Sequence, residues 1–323
     1  MSLFRSRFST VRHVVEASTP SFKLACNVYN QIPASSSAAK SAAPPIIFTH
    51  ANGFHKEIWE PVISRISPRW TANDLYAFDC RNQGDSAVLN KNVLEKSFDW
   101  YSYAYDILQI VDKFNLKKPV GIGHSILAEL IRPGTFSAIV AIDPTMFPKS
   151  IYLNASVDDH PMAQMTLKRR DTWKDRIDAK EKLLGKRFFR SWHPEVLDLY
   201  VEHGMIDVIN EDGSSSLTLK CPKFQEAITF ACIGTGLYDS FERLNELEIP
   251  VQIITGENSD INPEELAAMK LDQCKFGSLE TIKDTGHLLN LEKPQETADI
   301  ISTFLDRVLA ASKGNVEQTK ARL

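Results

Sequence analysis

Long apolar runs are missing from the sequence, and so are the patterns of several other protein classes. No uncharged apolar segment approaches the roughly 18 residues that a membrane-spanning helix needs, so no transmembrane segment is expected. The net charge is −4 and no basic stripe with interleaved aromatic residues occurs, so nucleic acid is not an expected partner. The scattered cysteines form no CxxC pair, which argues against a disulfide framework or a zinc site and suits a reducing compartment. They are Cys26, Cys80, Cys221, Cys232 and Cys274.

Short, continuous apolar segments recur along the chain, each closed by Gly, His, Asp or Pro. Because their apolar residues do not alternate with polar ones, these segments predict strands buried on both faces, as in a parallel sheet. Helical spacing of apolar residues lies between them, at 100–114 and 294–311. This alternation predicts a doubly wound α/β domain. The predicted strands are 46–50, 74–79, 119–124, 137–143, 250–256 and, with a weaker pattern, 278–287.

Two segments interrupt this alternation. The first, 33–45, is rich in Ala, Ser and Pro and predicts a surface loop. The second is helical and charge-rich, shows no buried parallel strand, and contains a predicted hairpin around 210–213. We expect it to form a cap over the carboxyl edge of the sheet. The expected organisation is a targeting tail at 1–13, a core at 14–145 and 246–311, the cap at 146–245, and a C-terminal tail at 312–323.

A candidate nucleophile follows the third predicted strand, in Gly123-His124-Ser125. The serine ends a buried strand and precedes a short helical stretch, which is the context of a nucleophile elbow: a sharp turn that raises the hydroxyl above the sheet. The N-terminus of the helix also directs free backbone N–H groups toward an attacked carbonyl oxygen. The pattern G-x-S alone occurs in many turns, and its placement gives it weight. Ser125 is therefore the predicted nucleophile.

A candidate base and two candidate acids occur further along the chain. His287 follows the last predicted strand, where the order Ser, acid, His expects a base. A third group must orient its imidazole. Asp143 ends the strand after the elbow, and Asp260 lies in the loop after the next core strand. The second loop is the commoner location for the acid, but Ser259 stands at the usual position there, so Asp143 is favoured and Asp260 is held in reserve.

The loop after the first predicted strand, His50 to Phe54, is where proteins with a nucleophile elbow place an oxyanion donor. By position we assign one donor to the backbone N–H of Asn52 and the other to that of Ile126, directly after the candidate nucleophile. His50 is expected to hold the loop in place rather than take part in chemistry. Asp85, in a loop after the second predicted strand, is expected to stabilise a turn.

Together these segments resemble the α/β-hydrolase superfamily over roughly residues 44 to 311, and within it the fungal peroxisomal lipase-like hydrolases. The resemblance implies an α/β-hydrolase fold with a helical cap inserted after the sixth strand, and ester hydrolysis without a metal or organic cofactor. One departure is clear: the usual elbow reads G-x-S-x-G, but Leu127 replaces the second glycine. The helix after the elbow is also short, because Pro133 follows Ser125 closely. The segments that carry the resemblance are 49–54, 79–88, 123–125, 143–144 and 286–287.

Two functional hypotheses follow. The first is a serine hydrolase that forms an acyl-enzyme on Ser125 and cleaves a small lipophilic ester, or, as a chemical variant, an acyl-CoA thioester. The second is a catalytically impaired binding protein on the same scaffold, suggested by the altered elbow. Aromatic and aliphatic residues of the cap favour a lipophilic acyl or alcohol group, although a cap also needs a core of its own. They are Phe188, Phe189, Trp192, Leu197 and Tyr200.

Both ends of the chain have compositions typical of targeting signals. Arg5, Arg7 and Arg12 lie among serines, and no acid precedes Glu16, which resembles a mitochondrial transit peptide. The ending Ala321-Arg322-Leu323 is a variant of the peroxisomal Ser-Lys-Leu signal. We expect a peroxisomal protein that binds an import receptor, with the mitochondrion and the cytosol as alternatives.

Overall fold

The structure, a computed structural model, describes residues 3–32, 43–71, 73–123, 125–151, 156–232 and 234–320. Most of the predicted loop at 33–45, His124 of the predicted elbow and the ending Ala321-Arg322-Leu323 lie outside these residues. In the described part of the chain, no helix combines the length and the apolar composition needed to cross a membrane.

A mostly parallel sheet forms the centre of the molecule. The strands along the chain are β1 (Phe8–Glu16), β2 (Lys23–Gln31), β3 (Ile46–Thr49), β4 (Leu75–Phe78), β5 (Val120–Ile122), β6 (Ala138–Ile142), β7 (Thr172–Trp173), β8 (Met205–Ile209), β9 (Ser215–Leu219), β10 (Val251–Gly256) and β11 (Gly277–Ile282). Within the described residues the central sheet has eight strands in the order β1-β2-β4-β3-β5-β6-β10-β11. In this sheet, β4, β3, β5, β6, β10 and β11 pair in parallel. Strand β1 is antiparallel to β2, and β2 is antiparallel to β4. All six predicted core strands are confirmed.

Helices cover both faces of this sheet. They are α1 (Leu3–Arg7), α2 (Glu60–Ile63), α3 (Gly84–Leu89), α4 (Trp100–Lys113), α5 (Ile126–Ile131), α6 (Pro161–Lys168), α7 (Arg176–Leu184), α8 (Arg187–Arg190), α9 (Pro194–His203), α10 (Lys223–Ala231), α11 (Gly234–Glu242), α12 (Glu264–Gln273), α13 (Leu289–Glu292) and α14 (Pro294–Lys320). In β3, Ile46 and Phe48 pack with α2 and α14, whereas Ile47 packs with α4 and α5 on the opposite face. Burial on two faces explains why the core strands are continuously apolar.

The first two strands carry no such pattern and were not predicted. Strand β1 is an edge strand whose residues are mostly exposed, so its sequence lacks a continuous apolar run. The segment with the composition of a targeting tail forms α1 and the first part of β1, with Phe4 and Phe8 buried. At the other end, α14 continues to Lys320, past the predicted boundary at 311.

The segment between β6 and β10 contains α6 to α11 and a small sheet. In the described residues this sheet has three antiparallel strands in the order β7-β9-β8. The predicted hairpin is the β8–β9 connection, whereas the sheet itself was not expected, because its strands are short and half-exposed. The cap contacts the core beside the candidate base, since His193 N–H donates to Leu291 O at 2.8 Å.

Candidate active site

The sheet brings the candidate acid and the candidate base together. Asp143 directly follows β6 and His287 follows β11, and parallel strands end at the same edge of a sheet. Asp143 Oδ2 lies 2.6 Å from His287 Nδ1. The Asp143 side chain is fully buried, whereas 31% of the His287 side chain is exposed. Because a carboxylate only accepts hydrogen bonds, Nδ1 carries the proton and Nε2 is left as the basic nitrogen.

Two further donors hold the Asp143 carboxylate. Ser259 Oγ donates to Oδ2 at 2.6 Å, and the Gly256 N–H donates to Oδ1 at 3.2 Å. The backbone of Asp143 is left-handed, with φ of 41°, and its N–H donates to Ile254 O at 2.7 Å. With its donors on both oxygens, the buried carboxylate is fixed in orientation relative to the imidazole.

The end of β10 allows the loop that carries His287 to approach. A Cβ atom on Gly256 would lie 2.2 Å from Gly286 O and 2.7 Å from Thr285 O. Only glycine therefore fits there without moving the loop. This close approach places His287 over the neighbouring strand, where Asp143 ends β6.

The reserve acid makes no hydrogen bond with this pair. Asp260 is exposed, and none of the hydrogen bonds found among the described residues involves its side chain. Ser259, at the usual location of the acid, contacts the imidazole's partner Asp143 instead. In the sequence, this serine stands out only because it occupies the position where an acid is usual. Its hydrogen bond to Asp143 could not be predicted from the sequence.

Ser125 makes no hydrogen bond with His287 in this structure. Its side chain is buried, and Oγ has no hydrogen-bond partner among the described residues. A Cβ atom on Gly121 would lie 2.4 Å from Ser125 Oγ, so the hydroxyl packs against Gly121 of β5. The hydrogen bond expected between this hydroxyl and the imidazole is not formed in this arrangement.

The altered elbow gives the physical reason. Ser125 is the N-cap of α5 and has φ of −84° and ψ of −10°, which are helical values, whereas a nucleophile elbow needs a strained turn. Ile126 and Leu127 are both buried in the core layer shared with α4. Since their side chains hold α5 there, the chain enters the helix at Ser125. The second elbow glycine, which would permit a closer approach of strand and helix, is absent.

A double-mutant cycle tests this position of Ser125. We expect Gly121→Ala to lower the free energy of unfolding by about 1–3 kcal/mol, because the new methyl group overlaps the serine side chain. Adding Ser125→Gly should recover part of that loss, which urea unfolding of the single and double variants would measure. Purely additive effects would mean that the hydroxyl does not lie against Gly121.

The candidate oxyanion loop is held by the cap and by the next loop of the core. Asn52 Nδ2 donates to Glu226 O at 3.0 Å, and Gln83 Nε2 donates to Asn52 Oδ1 at 2.7 Å. The Gly53 N–H donates to Gln83 Oε1 at 2.9 Å. Glu226 also forms a bidentate ion pair with the guanidinium group of Arg169. The backbone of this loop is therefore fixed from both sides. The other proposed donor residue, Ile126, is the first residue of α5, where backbone N–H groups lack partners within the helix.

His50 and Asp85 have structural contacts. The Cys80 N–H donates to His50 Nε2 at 3.2 Å, so Nδ1 carries the proton and donates to Ala51 O at 2.9 Å. Burial lowers the pKa of His50 to about 3, which keeps the imidazole neutral. Asp85 accepts from Lys56 and from Lys220, and so connects the core to the cap.

An apolar cavity of about 30 Å³ lies between α4, α5 and α11. Its walls include Gly123, Ile126, Leu127, Met146 and Leu237. This volume is far smaller than that of a typical ligand site. Among the described residues, no group of three or more His, Cys, Asp or Glu side chains is placed to hold a metal ion.

The fold is that of the α/β-hydrolase class. The model of the alpha/beta hydrolase family matches residues 46–300, and the chain belongs to this family. The abhydrolase domain-containing protein ACTT2-1 of Alternaria alternata is 27% identical over 225 residues, which cover 58% of this chain and 83% of that protein.

A second relative is named as an enzyme. The type I acyl-CoA thioesterase mpaH of Penicillium brevicompactum is 25% identical over 234 residues, covering 64% of this chain and 54% of that protein, so the match spans about half of its length. Among solved structures, the peroxisomal alpha-beta-hydrolase Lpx1 of Saccharomyces cerevisiae superposes with a TM-score of 0.80 at 18% identity, covering 94% of this chain and 90% of that chain. This last likeness concerns the fold alone.

Proposed function

We propose that the protein is a serine hydrolase that cleaves carboxylic esters or thioesters through an acyl-enzyme on Ser125. The observation that carries this proposal is the 2.6 Å contact between the buried Asp143 carboxylate and His287 Nδ1. A histidine bound in this way presents a basic Nε2 at the edge of the sheet where the family performs its chemistry. Membership of the alpha/beta hydrolase family supports the same reaction class.

In the proposed reaction, Ser125 Oγ attacks the carbonyl carbon while His287 Nε2 takes the hydroxyl proton. The backbone N–H groups of Asn52 and Ile126 stabilise the tetrahedral oxyanion. When the bond to the leaving alcohol or thiol breaks, His287 returns the proton to it. Water then attacks the acyl-enzyme, with His287 again acting as base, and releases the acid and Ser125.

This reaction requires a change at the elbow. Ser125 Oγ must leave its position against Gly121 and come within about 3 Å of His287 Nε2. The required movement is a change of the Ser125 backbone from helical to strained dihedral angles at the start of α5. We propose that substrate binding beneath the cap accompanies this change, because the apolar cavity beside α5 is too small for an acyl group.

The cap supports a lipophilic substrate. Phe189, Trp192 and Tyr200 are buried, and Trp192 contacts the other two rings edge to face. Phe54 of the candidate oxyanion loop contacts both Trp192 and Tyr200. This aromatic cluster of the cap thus extends to the candidate oxyanion loop. Phe188 is 56% exposed and packs on the outer side of this cluster.

A thioester substrate is supported by the thioesterase relative. Two basic residues that could bind the phosphates of coenzyme A already form ion pairs within the protein: Arg169 with Glu226, and Arg170 with Asp178. We therefore propose an ester or a thioester with an apolar acyl group, without assigning the phosphates to these arginines.

The buried Ser125 hydroxyl favours a second candidate function, a ligand-binding protein without hydrolytic activity. In this case the apolar cap would bind a lipophilic acid or ester, and the His287 imidazole would contact its polar end.

Hydrolysis assays separate the two candidates. We would measure p-nitrophenyl acetate, p-nitrophenyl palmitate and palmitoyl-CoA with the wild type, Ser125→Ala and a control variant, Ser278→Ala, which changes a serine at the opposite end of the sheet. The hydrolase predicts turnover that Ser125→Ala abolishes and Ser278→Ala preserves. Equal background rates for all three proteins, with palmitate binding by calorimetry, would establish the binding protein instead.

We propose that the protein is peroxisomal, because the structurally similar Lpx1 of Saccharomyces cerevisiae is a peroxisomal alpha-beta-hydrolase. Residues Ala321-Arg322-Leu323 are the candidate signal. A fluorescent protein fused in front of the full chain should reach peroxisomes and should lose this location when the last three residues are deleted. A mitochondrial or cytosolic signal from the intact fusion would contradict the proposal.

A further inference from the structure

A buried lysine lies beneath the candidate site. Lys270 of α12 is fully buried, and its Nζ donates to Pro144 O at 2.7 Å and to Asn262 Oδ1. Pro144 directly follows the candidate acid Asp143, and Asn262 belongs to the loop after β10. One amino group therefore connects the two loops that meet at the Asp143 carboxylate.

The connection closes into a ring of hydrogen bonds. The Asn262 N–H donates to Ser259 Oγ at 3.1 Å, and Ser259 Oγ donates to Asp143 Oδ2 at 2.6 Å. Asp143 is followed in the chain by Pro144, whose carbonyl oxygen accepts from Lys270 and so closes the ring. Because each link fixes the next, the position of the carboxylate depends on the amino group.

Burying this amino group is costly. Burial lowers the pKa of Lys270 to about 7, and the charge of Asp143 acts in the opposite direction. The Phe147 ring, with its centroid 5.2 Å from Nζ, is a further contact. The other charged side chains of this helix are exposed; they are Glu264, Glu265 and Asp272. A methionine would fill nearly the same space without this cost, so the hydrogen bonds are the distinct contribution of the lysine.

We propose that Lys270 is a positioning residue of the active site, which holds Asp143 in the orientation that binds His287. This inference rests on the proposed function for its effect on catalysis. Its structural part concerns the Asp143–His287 hydrogen bond alone and can be measured without turnover.

The test compares Lys270→Met with Leu266→Ala. The methionine removes both hydrogen bonds of the amino group, whereas the alanine weakens the packing of the same helix and leaves these bonds in place. We expect Lys270→Met to lower kcat about 10- to 100-fold with little change in KM, because the base is misplaced. We also expect the NMR signal of the His287 Nδ1 proton, protected by Asp143 in the wild type, to be lost through exchange with water. Leu266→Ala should keep both the rate and the signal.

Asn262→Ala supplies a second variant, since it deletes the acceptor of the same bond and retains the lysine. It should weaken the Nδ1 proton signal in the same direction and to a smaller extent, and it decides the question if Lys270→Met does not fold. If the wild type shows no hydrolysis but the signal is lost in Lys270→Met and kept in Leu266→Ala, the proposed function fails and the positioning role stands. A signal that persists in both Lys270→Met and Asn262→Ala would overturn the inference.

Discussion

Asp143→Asn is expected to lower kcat about 10⁴-fold, the loss typical of an acid that orients a catalytic histidine. An amide at this position can donate to the imidazole, which favours the tautomer with its proton on Nε2. His287 could then no longer accept the proton of Ser125. The side chain keeps its size and remains within reach of the Ser259 hydroxyl and the Gly256 N–H, so the fold should persist. Hydrolysis of p-nitrophenyl acetate and circular dichroism would measure the two effects separately.

Asp260→Asn is the matched control for this substitution. Asp260 is exposed and lies in the loop where such an acid is more often found. We expect its kcat to stay within about twofold of the wild type, as for most surface substitutions. A large loss in Asp260→Asn together with normal turnover in Asp143→Asn would reverse the assignment of the acid.

Lys56→Met is expected to lower the free energy of unfolding by about 3–5 kcal/mol, the usual cost of removing one partner from a buried ion pair. Lys56 Nζ lies 2.9 Å from Asp79, 2.7 Å from Asp85 and 3.0 Å from Glu57. Burial opposes the charge on Lys56, but these carboxylates outweigh it and raise its pKa above the ordinary value. Without the ammonium group, the fully buried Asp79 would lose its ion pair with Lys56.

The same network offers a control in Lys220→Met. Lys220 contacts Asp85 from the cap, and 36% of the Asp85 side chain is exposed. Solvent screens this ion pair, so its loss should cost no more than about 1 kcal/mol. Urea unfolding of both variants would measure the difference. Equal losses would show that the ammonium group of Lys56 contributes no more than a surface charge.

The core of the fold was predictable because strands that are buried on both faces have continuously apolar sequences. Strands β3, β5 and β6 are buried on two faces and are therefore continuously apolar. The edge strand β1 and the small cap sheet are exposed along much of their length, and their sequences do not differ clearly from those of loops.

The candidate site was predictable in part for a related reason. Chain order and the parallel sheet place His287 and Asp143 at one edge, and a departure from the usual acid position favoured Asp143. The contacts of Ser259 and Lys270 arise from side chains of separate loops and helices, so no local pattern indicates them. The position of Ser125 depends on where α5 begins, which its apolar neighbours determine through packing and not through spacing.

The reactivity of the Ser125 hydroxyl decides whether the protein is a hydrolase or a ligand-binding protein without hydrolytic activity. The direct measurement is to treat the protein with a fluorophosphonate and to locate the adduct by mass spectrometry of its peptides. The account predicts a single adduct on Ser125, absent in Ser125→Ala and formed far more slowly in His287→Ala. An unlabelled wild-type protein, or an adduct on another residue, would contradict it.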